Sequence, residues 1–226
     1  MSERQEVSHP AHPVEKGIVV IVSGPSASGK GTVVDRAMEK ADEERLNLQL
    51  SVSMTTRAMG KNEVDGESYF FVTKEEFERH IANNNLLEYN SYAGEYYGTP
   101  KSKLDEWLLS GTSVILEIDV NGARQVLKQY PDAVTVYILP PSFRELETRL
   151  RNRGRDSEEK IRYRIAKGKD EIPEARWYDY ILVNDIIEDS ADDLLSIIKA
   201  ELNNRSRIEY KIDEVLDTYG EDQQDN

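Results

Sequence analysis

Continuous apolar runs rich in Val and Ile recur along the chain, separated by segments in which apolar residues follow helical spacing. The runs occupy residues 17–23, 113–119, 133–139 and 178–184. Strands that are buried on both faces show this pattern, because helices cover both sides of a parallel sheet. The alternation of strand and helix therefore predicts an α/β fold built on a parallel sheet.

Helix-start and helix-stop residues place the predicted helices between these strands. One helix is predicted from about Lys30 to Lys40, one after Ser142 with Glu145 completing a capping box, and one over 190–205 after a serine cap. Another is predicted with Thr99 as its cap, Pro100 in its first position and Gly111 at its end.

Residues 51–98 interrupt this alternation. The stretches 51–57, 67–72 and 86–92 predict short strands with polar neighbours. Between the last two, Thr73 and Glu76 have the spacing of a capping box and predict a helix. This block therefore predicts a small inserted α/β subdomain.

Composition narrows the classes of function. The chain has 226 residues, 38% of them hydrophobic, which is enough for one domain with insertions and a proper core. A formal net charge of −14 argues against binding to nucleic acid or to an anionic membrane. Cysteine is absent from the sequence, which excludes disulfides and a thiol nucleophile. Its three histidines lack the spacing of metal ligands.

The two ends of the chain are polar. Residues 1–15 predict a flexible tail, with neither a signal peptide nor a membrane span in the sequence. Residues 213–226 form an acidic segment that predicts disorder beyond about residue 212. These features predict a cytoplasmic protein.

The stretch GPSASGKGT, residues 24–32, lies between a predicted strand and a predicted helix and matches a phosphate-binding loop. Glycines in such a loop let backbone N–H groups point inward at an anion, the helix start adds its positive dipole end, and Lys30 reaches the β- and γ-phosphates. The alternative is an ordinary strand–helix turn. Gly31 stands where the pattern has Ser or Thr, so Thr32 or water must complete the Mg²⁺ shell.

Several motifs resemble those of guanylate kinases, and G-K-G-T endings resemble nucleoside monophosphate kinases more widely. In order, the motifs are SVSMTTR, EVDGESYFF, LLEYNSYAGEYYGTP, ILEIDVNGA, LPPS, RLRNRGRDSEE and YDYILVND. The similarity runs from about residue 17 to 207. It implies a P-loop nucleoside-monophosphate-kinase core with a five-stranded parallel sheet, a mixed α/β GMP-binding subdomain and a helical lid.

The resemblance also implies boundaries and ligands. The guanylate-kinase-like domain is expected over 16–212, with its core in 16–50, 99–141 and 170–207, the GMP-binding subdomain in 51–98 and the lid in 142–169. ATP and Mg²⁺ are the expected cofactors, and GMP, with dGMP, the expected substrate in purine nucleotide metabolism and GMP recycling. The chain is expected to be a monomer or homodimer.

Residue by residue, the resemblance assigns three groups of side chains. Guanine presents N1–H and N2–H₂ donors side by side, and a carboxylate accepts both. The implied GMP-binding residues are Ser53, Arg57, Tyr69, Glu88, Tyr97, Thr99 and Asp119. ATP is assigned to the loop residues Gly24, Pro25, Ser26, Ala27, Ser28, Gly29, Lys30, Gly31 and Thr32, and to Asn184. The implied catalytic residues are Lys30, Arg57, Arg149, Arg153 and Arg164, with Thr32 as a metal ligand.

One position departs from the family pattern. A second Arg usually follows the first at a spacing of three, as in T-T-R-x-x-R, and here Gly60 occupies that position, with Lys61 next. Lys supplies a point charge without the bidentate geometry of Arg. Two other functions remain possible from sequence: a guanylate-kinase-like scaffold that recognises phosphopeptides, and a kinase acting on another phosphorylated ribose compound. The intact loop argues against the first, and Glu88 with Ser53 against the second.

Overall fold

The computed structural model describes residues 16–92, 94–152, 154 and 157–222. Its strands are β1 (Val19–Ser23), β2 (Leu48–Leu50), β3 (Met54–Thr55), β4 (Phe70–Phe71), β5 (Leu86–Tyr92), β6 (Glu95–Pro100), β7 (Ser113–Glu117), β8 (Val134–Leu139) and β9 (Tyr180–Val183). Its α-helices are α1 (Lys30–Glu43), α2 (Lys74–Ala82), α3 (Leu104–Leu109), α4 (Val120–Leu127), α5 (Phe143–Asn152), α6 (Glu158–Glu171), α7 (Ile187–Leu202), α8 (Arg205–Ile208) and α9 (Tyr210–Asp222). A 3₁₀ helix covers Ile172–Trp177.

Within the described residues, five strands form a parallel sheet in the order β2-β7-β1-β8-β9. The central strand β1 is wholly buried. Val20 and Val22 pack with residues of α1 and α7 on one face, while Val19 and Ile21 pack with residues of α3 and α4 on the other. The predicted parallel sheet, covered on both faces at its central strands, is confirmed. The prediction of a buried strand over 178–184 is wrong, because β9 lies at the edge of the sheet and exposes Ile181 and Val183.

A second sheet, with the order β4-β3-β6-β5, mixes parallel and antiparallel pairs. Helix α2 packs against it through Phe77, which is fully buried in a cluster with Met54 and Leu86. The Thr73 hydroxyl accepts a hydrogen bond from the Glu76 N–H, which confirms the predicted cap. The division of the chain into core, GMP-binding subdomain and lid stays a prediction.

The helix predicted to begin at Thr99 begins later. Thr99 and Pro100 belong to β6, and the helix starts at Leu104. Thr99 pairs with Glu88 across the sheet, and this pairing extends the strand past the local helix-start signal. Gly111 follows the helix end with a left-handed φ of 80°, as a terminating glycine does.

The serine cap of the helix predicted over 190–205 is also wrong. Helix α7 begins at Ile187, and Ser190 lies buried in its first turn. Glu188 and Asp189 stabilise the earlier start by interacting with the helix dipole. The Ser190 hydroxyl instead donates to the Asn184 side-chain oxygen at 3.4 Å, which ties α7 to the end of β9.

The sequence predicted disorder beyond about residue 212. This prediction is wrong for residues 213–222, which lie in α9. Ile212, Val215 and Leu216 follow helical spacing there, and all three are exposed. The high acidic content of this segment concealed that periodicity. No helix in the described part of the chain is long and apolar enough to cross a membrane.

Candidate active site

The phosphate loop, residues 24–32, joins β1 to α1 as predicted. Ala27 and Gly29 have left-handed φ values of 69° and 87°, which turn the loop back on itself before the helix starts. The first-turn N–H groups of α1 have no partner within the helix and point out of its N-terminus. This geometry suits a bound phosphate.

Two side chains support the loop from behind. The Asn184 amide donates to the Ser28 carbonyl at 2.8 Å, and Arg149 donates to the same carbonyl at 3.2 Å and to the Asn184 carbonyl at 3.0 Å. A Cβ on Gly29 would lie 2.2 Å from the Asn184 side-chain nitrogen, so only glycine fits at this point. Asn184 is buried and supports the loop; its contact with adenine stays a prediction.

The other arginines assigned from sequence come from the region between β8 and the 3₁₀ helix. Arg149 lies on α5 and also pairs with Glu145 at 2.9 Å. Arg164 lies on α6 and donates to the Ser26 hydroxyl at 2.7 Å, so both helices bring a guanidinium to the loop. Arg153 falls outside the described residues.

A cavity of about 330 Å³ separates the loop from the second sheet. Lys30 and Glu117 line it together with five of the seven residues assigned to GMP. The latter are Ser53, Tyr69, Glu88, Tyr97 and Asp119. The structure therefore brings together residues that lie far apart in the sequence.

Glu88 is a buried carboxylate, only 6% exposed, at the foot of this cavity. Its Oε1 atom accepts a hydrogen bond from the Thr99 hydroxyl at 2.7 Å. Burial raises the pKa of Glu88 to about 7; the hydrogen bond from Thr99 opposes this rise, and the nearby charge of Asp119 adds to it. A buried acceptor that is held in place in this way can receive a pair of ligand N–H groups.

Asp119 caps helix α4 beside Glu88. One carboxylate oxygen accepts from the Gly122 N–H at 2.8 Å, and the other accepts from the Asn90 amide at 2.8 Å. Asn90 also lines the cavity, although the sequence motifs did not single it out. Capping and the amide contact together fix the Asp119 carboxylate.

Arg57 does not line this cavity; it lines a separate pocket, where it is held by an acidic neighbour. Its guanidinium forms a two-pronged pair with Glu63, with N–O distances of 2.9 and 2.7 Å, and stands 5.4 Å from the ring centre of Tyr69. Hydrogen bonds to Glu63 raise the pKa of Arg57 above its ordinary value. The ring of Tyr97 meets that of Tyr69 edge-on at 6.2 Å.

Gly60 also contacts Glu63. Its N–H donates to Glu63 Oε2 at 2.6 Å, and a Cβ at this position would stand 2.8 Å from that oxygen. The backbone of Gly60 does not have a left-handed φ, so the turn itself does not require glycine. Gly60, Lys61 and Asn62 border an open pocket beside Arg57.

Glu117, at the end of β7, is a site residue that the sequence reasoning missed. It pairs with Lys30 at 3.5 Å, and both side chains are partly exposed to the cavity. An acidic residue that ends an otherwise apolar strand was the available signal. The described residues contain no group of three or more His, Cys, Asp or Glu that could hold a metal ion alone.

These features together define a P-loop nucleoside monophosphate kinase: a phosphate loop at the first strand of a parallel sheet faces a second sheet that carries a buried carboxylate. The chain belongs to the guanylate kinase family, whose model matches residues 16–201. It is 45% identical over 199 residues to the guanylate kinase of Carboxydothermus hydrogenoformans, covering 88% of this chain and 96% of that one. It is 48% identical over 187 residues to that of Streptococcus thermophilus, covering 83% and 88%.

A solved structure agrees with this assignment. The guanylate kinase of Anaplasma phagocytophilum superposes with a TM-score of 0.70 at 32% identity, covering 85% of this chain and 90% of that chain. The likeness extends over both sheets of the fold, so the resemblance seen in the sequence motifs is confirmed at the level of family and architecture.

Proposed function

We propose that this chain transfers the γ-phosphoryl group of ATP to GMP, giving ADP and GDP, and that it also accepts dGMP. The observation that carries the proposal is the single cavity lined by Lys30 of the phosphate loop and by Glu88 with its neighbours on the second sheet. A donor phosphate chain and an acceptor nucleotide can meet in it. The reaction is proposed to take place in the cytoplasm, as part of purine nucleotide metabolism and GMP recycling.

On the acceptor side, Glu88 accepts the N1–H and N2–H₂ donors of guanine. Ser53 and Thr99 provide hydroxyl groups near the base, and Asp119 lies between the base and the phosphates. Arg57, Tyr69 and Tyr97 bind the GMP phosphate by charge-assisted and hydroxyl hydrogen bonds. The substrate phosphate must then displace Glu63 from the Arg57 guanidinium.

On the donor side, residues 24–32 wrap the ATP phosphates with backbone N–H groups, and Asn184 contributes beneath the adenine site. An oxygen of the GMP phosphate attacks the γ-phosphorus, and the bond from that phosphorus to the β–γ bridging oxygen breaks, so that ADP leaves. Lys30, Arg149, Arg153 and Arg164 stabilise the charge on the transferred group. No protein nucleophile is needed, because positioning and charge neutralisation supply the catalysis.

Mg²⁺ fits the residues beside the loop. Thr32 is exposed on the first turn of α1, and the Glu117 carboxylate lies across from Gly31. Mg²⁺ is commonly held by one or two protein oxygens together with phosphates and water. Thr32 and Glu117 would hold the ion in this way, and the ion would neutralise charge on the β- and γ-phosphates.

The GMP-binding subdomain, residues 51–98, and the lid, residues 142–169, are proposed to close over the substrates. Closure would exclude water from the γ-phosphate, because a wet site would hydrolyse ATP. Substrate phosphates would then replace Glu63 as the partner of Arg57 and Ser26 as the partner of Arg164. The chain is proposed to work as a monomer or homodimer.

A coupled ADP-release assay with GMP, dGMP, IMP, AMP and UMP tests the function. Turnover is expected with GMP, and also with dGMP because no assigned residue engages the 2′-hydroxyl. AMP should be poor, since adenine lacks the paired donors that Glu88 accepts. A folded protein without turnover on any monophosphate would instead support a phosphopeptide scaffold, and a preference for another acceptor would refute GMP as substrate.

Gly60→Arg is expected to strengthen GMP binding by roughly 1–2 kcal/mol, which lowers the KM for GMP. The KM for ATP should stay unchanged. Arg at this position adds a second planar fork for the phosphate. It also displaces Glu63, because its Cβ would stand 2.8 Å from Glu63 Oε2. Steady-state kinetics with each substrate varied in turn measures both constants.

Two variants separate these effects. Gly60→Ala displaces Glu63 without adding charge, so it isolates the release of Arg57. Lys61→Ala is expected to raise the KM for GMP. If Gly60→Arg and Lys61→Ala both leave that constant unchanged, the loop over 58–64 does not reach the GMP phosphate.

Gly31→Ser is expected to change kcat by less than about tenfold, or about 1.4 kcal/mol. A Cβ at Gly31 makes only ordinary contact with the Glu117 carboxylate, at 3.5 Å, so serine fits. Thr32, Glu117, phosphates and water already provide enough oxygens for Mg²⁺. Titration of activity with Mg²⁺ measures the effect, and a gain well above tenfold would show that the natural loop is impaired.

A further inference from the structure

Helix α4 contacts the base-reading carboxylate directly at Gly122. A Cβ built on this glycine would lie 2.7 Å from Glu88 Oε2, 3.1 Å from its carboxyl carbon and 3.2 Å from its Cγ. Real Cβ atoms do not approach other atoms so closely. The Glu88 carboxyl group therefore lies directly on the bare backbone of Gly122.

Backbone conformation does not explain this glycine. Gly122 lies within α4, and its φ is not left-handed. Glycine inside a helix is less favourable than alanine. The space needed by the Glu88 carboxylate is the feature of the structure that accounts for it.

Helix α4 and the turn after it hold the peptide units on both sides of Glu88. The Gln125 amide accepts from the Tyr89 N–H at 3.2 Å and donates to the Tyr89 carbonyl at 3.0 Å. Gln129 donates to the Leu87 carbonyl at 2.7 Å. The two glutamine side chains thus form hydrogen bonds with backbone groups of β5.

Gly122 and Gln125 lie three residues apart and share one face of α4, and Gln129 lies in the turn that follows the helix. Other residues of this helix, Ala123 and Val126, are buried in the core of the parallel sheet. Helix α4 therefore belongs to the core that carries the phosphate loop, while its polar face contacts the strand that carries Glu88.

We propose that Gly122 and Gln125 of α4, with Gln129 in the turn after it, form a seat that positions Glu88 for guanine, and that Gly122 is a specificity-determining residue. This inference rests on the proposed role of Glu88 in reading the base. Through the seat, the position of the carboxylate is set relative to the phosphate loop and not only by its own sheet. A methyl group at residue 122 would push the carboxylate away from the N1–H and N2–H₂ donors.

Gly122→Ala is expected to raise the KM for GMP at least about tenfold and to leave the KM for ATP within about twofold. IMP lacks the N2 amine, so the ratio of kcat/KM for GMP to that for IMP should fall at least about fivefold. A general structural defect would lower kcat/KM for GMP and for IMP by the same factor. Asn121→Ala, at the exposed preceding position of α4, is the matched control and should resemble the wild type.

A double-mutant cycle with Glu88→Asp tests whether the effect passes through the carboxylate. Aspartate is shorter by one methylene, so its carboxylate lies farther from residue 122. Adding Gly122→Ala to Glu88→Asp should therefore raise the KM for GMP little further. If Gly122→Ala raises the KM for GMP by the same factor in the wild type and in Glu88→Asp, the proposal is overturned. An unchanged GMP-to-IMP ratio in folded Gly122→Ala would overturn it as well.

Gln125→Ala keeps the test decisive if Gly122→Ala does not fold. It removes both hydrogen bonds to Tyr89 and should raise the KM for GMP about threefold or more without affecting that for ATP. An unchanged KM for GMP would contradict the seat. Failure of the proposed function is distinguishable, since wild-type protein would then show no turnover with GMP.

Discussion

Lys30→Met is expected to lower kcat at least about a hundredfold while leaving the fold intact. Lys30 starts α1 directly after the left-handed Gly29, and it lines the cavity. One charge removed from the transferring phosphate costs on the order of 3 kcal/mol of transition-state stabilisation. Its pair with Glu117 is partly exposed, so loss of this pair should destabilise the fold little.

Lys40→Met is the matched control for this variant. Lys40 lies on the same helix and is paired with two acids, Glu188 and Asp192, away from the cavity. Its replacement also removes one positive charge, yet turnover should stay within about twofold of wild type. Near-normal turnover in folded Lys30→Met would contradict the assignment of residues 24–32 as the phosphate-binding loop.

Glu88→Gln is expected to reduce kcat/KM for GMP at least about a hundredfold and, at pH 8, to make the protein more stable. The amide accepts with one atom only and directs an NH₂ group at the guanine donors. A site built to pair with ligand donors is sensitive to such a change, because the buried groups are left unpaired. Steady-state kinetics and thermal unfolding of the same preparations measure the two effects.

The gain in stability follows from the raised pKa of Glu88. The folded-state pKa is about 7 and the ordinary value is 4.5, so ionising this carboxyl group disfavours the folded state. Its contribution to wild-type stability is complete below pH 4.5 and is lost as the pH rises through about 7. The difference corresponds to about 3 kcal/mol at most, and a gain of roughly 1–3 kcal/mol is expected for Glu88→Gln at pH 8.

At pH 4 the stability advantage of Glu88→Gln should vanish, because Glu88 is then protonated in both the folded and the unfolded protein. Glu75→Gln, at an exposed position on α2, should change neither stability nor kinetics. For the wild type, the KM for GMP should rise as the pH falls below about 7, since a protonated Glu88 accepts fewer hydrogen bonds. A less stable Glu88→Gln protein at pH 8, or an unchanged kcat/KM, would contradict the role given to this carboxylate.

Local patterns were enough to predict much of the fold. The apolar runs at β1, β7 and β8 correctly predicted buried strands, because burial on both faces leaves no position for polar residues. The run at β9 is equally apolar, but this strand lies at the edge of the sheet and is largely exposed. The phosphate loop could be predicted because its residues are consecutive, so their spacing alone sets the geometry of the backbone. Ser142 and Thr73 were correctly predicted as caps because a cap contacts N–H groups within its own first turn.

Tertiary structure decided whatever depends on partners distant in the chain. Thr99 has a helix-start signal, but its pairing with Glu88 keeps it in a strand. Glu117 meets Lys30, and Asn184 supports the loop, only because parallel strands place their carboxyl ends at one edge of the sheet. Gly122 reads as an ordinary helix glycine until the second sheet places the Glu88 carboxylate on it. Sequence spacing records contacts along the chain, whereas these contacts exist only once the sheets and helices have packed.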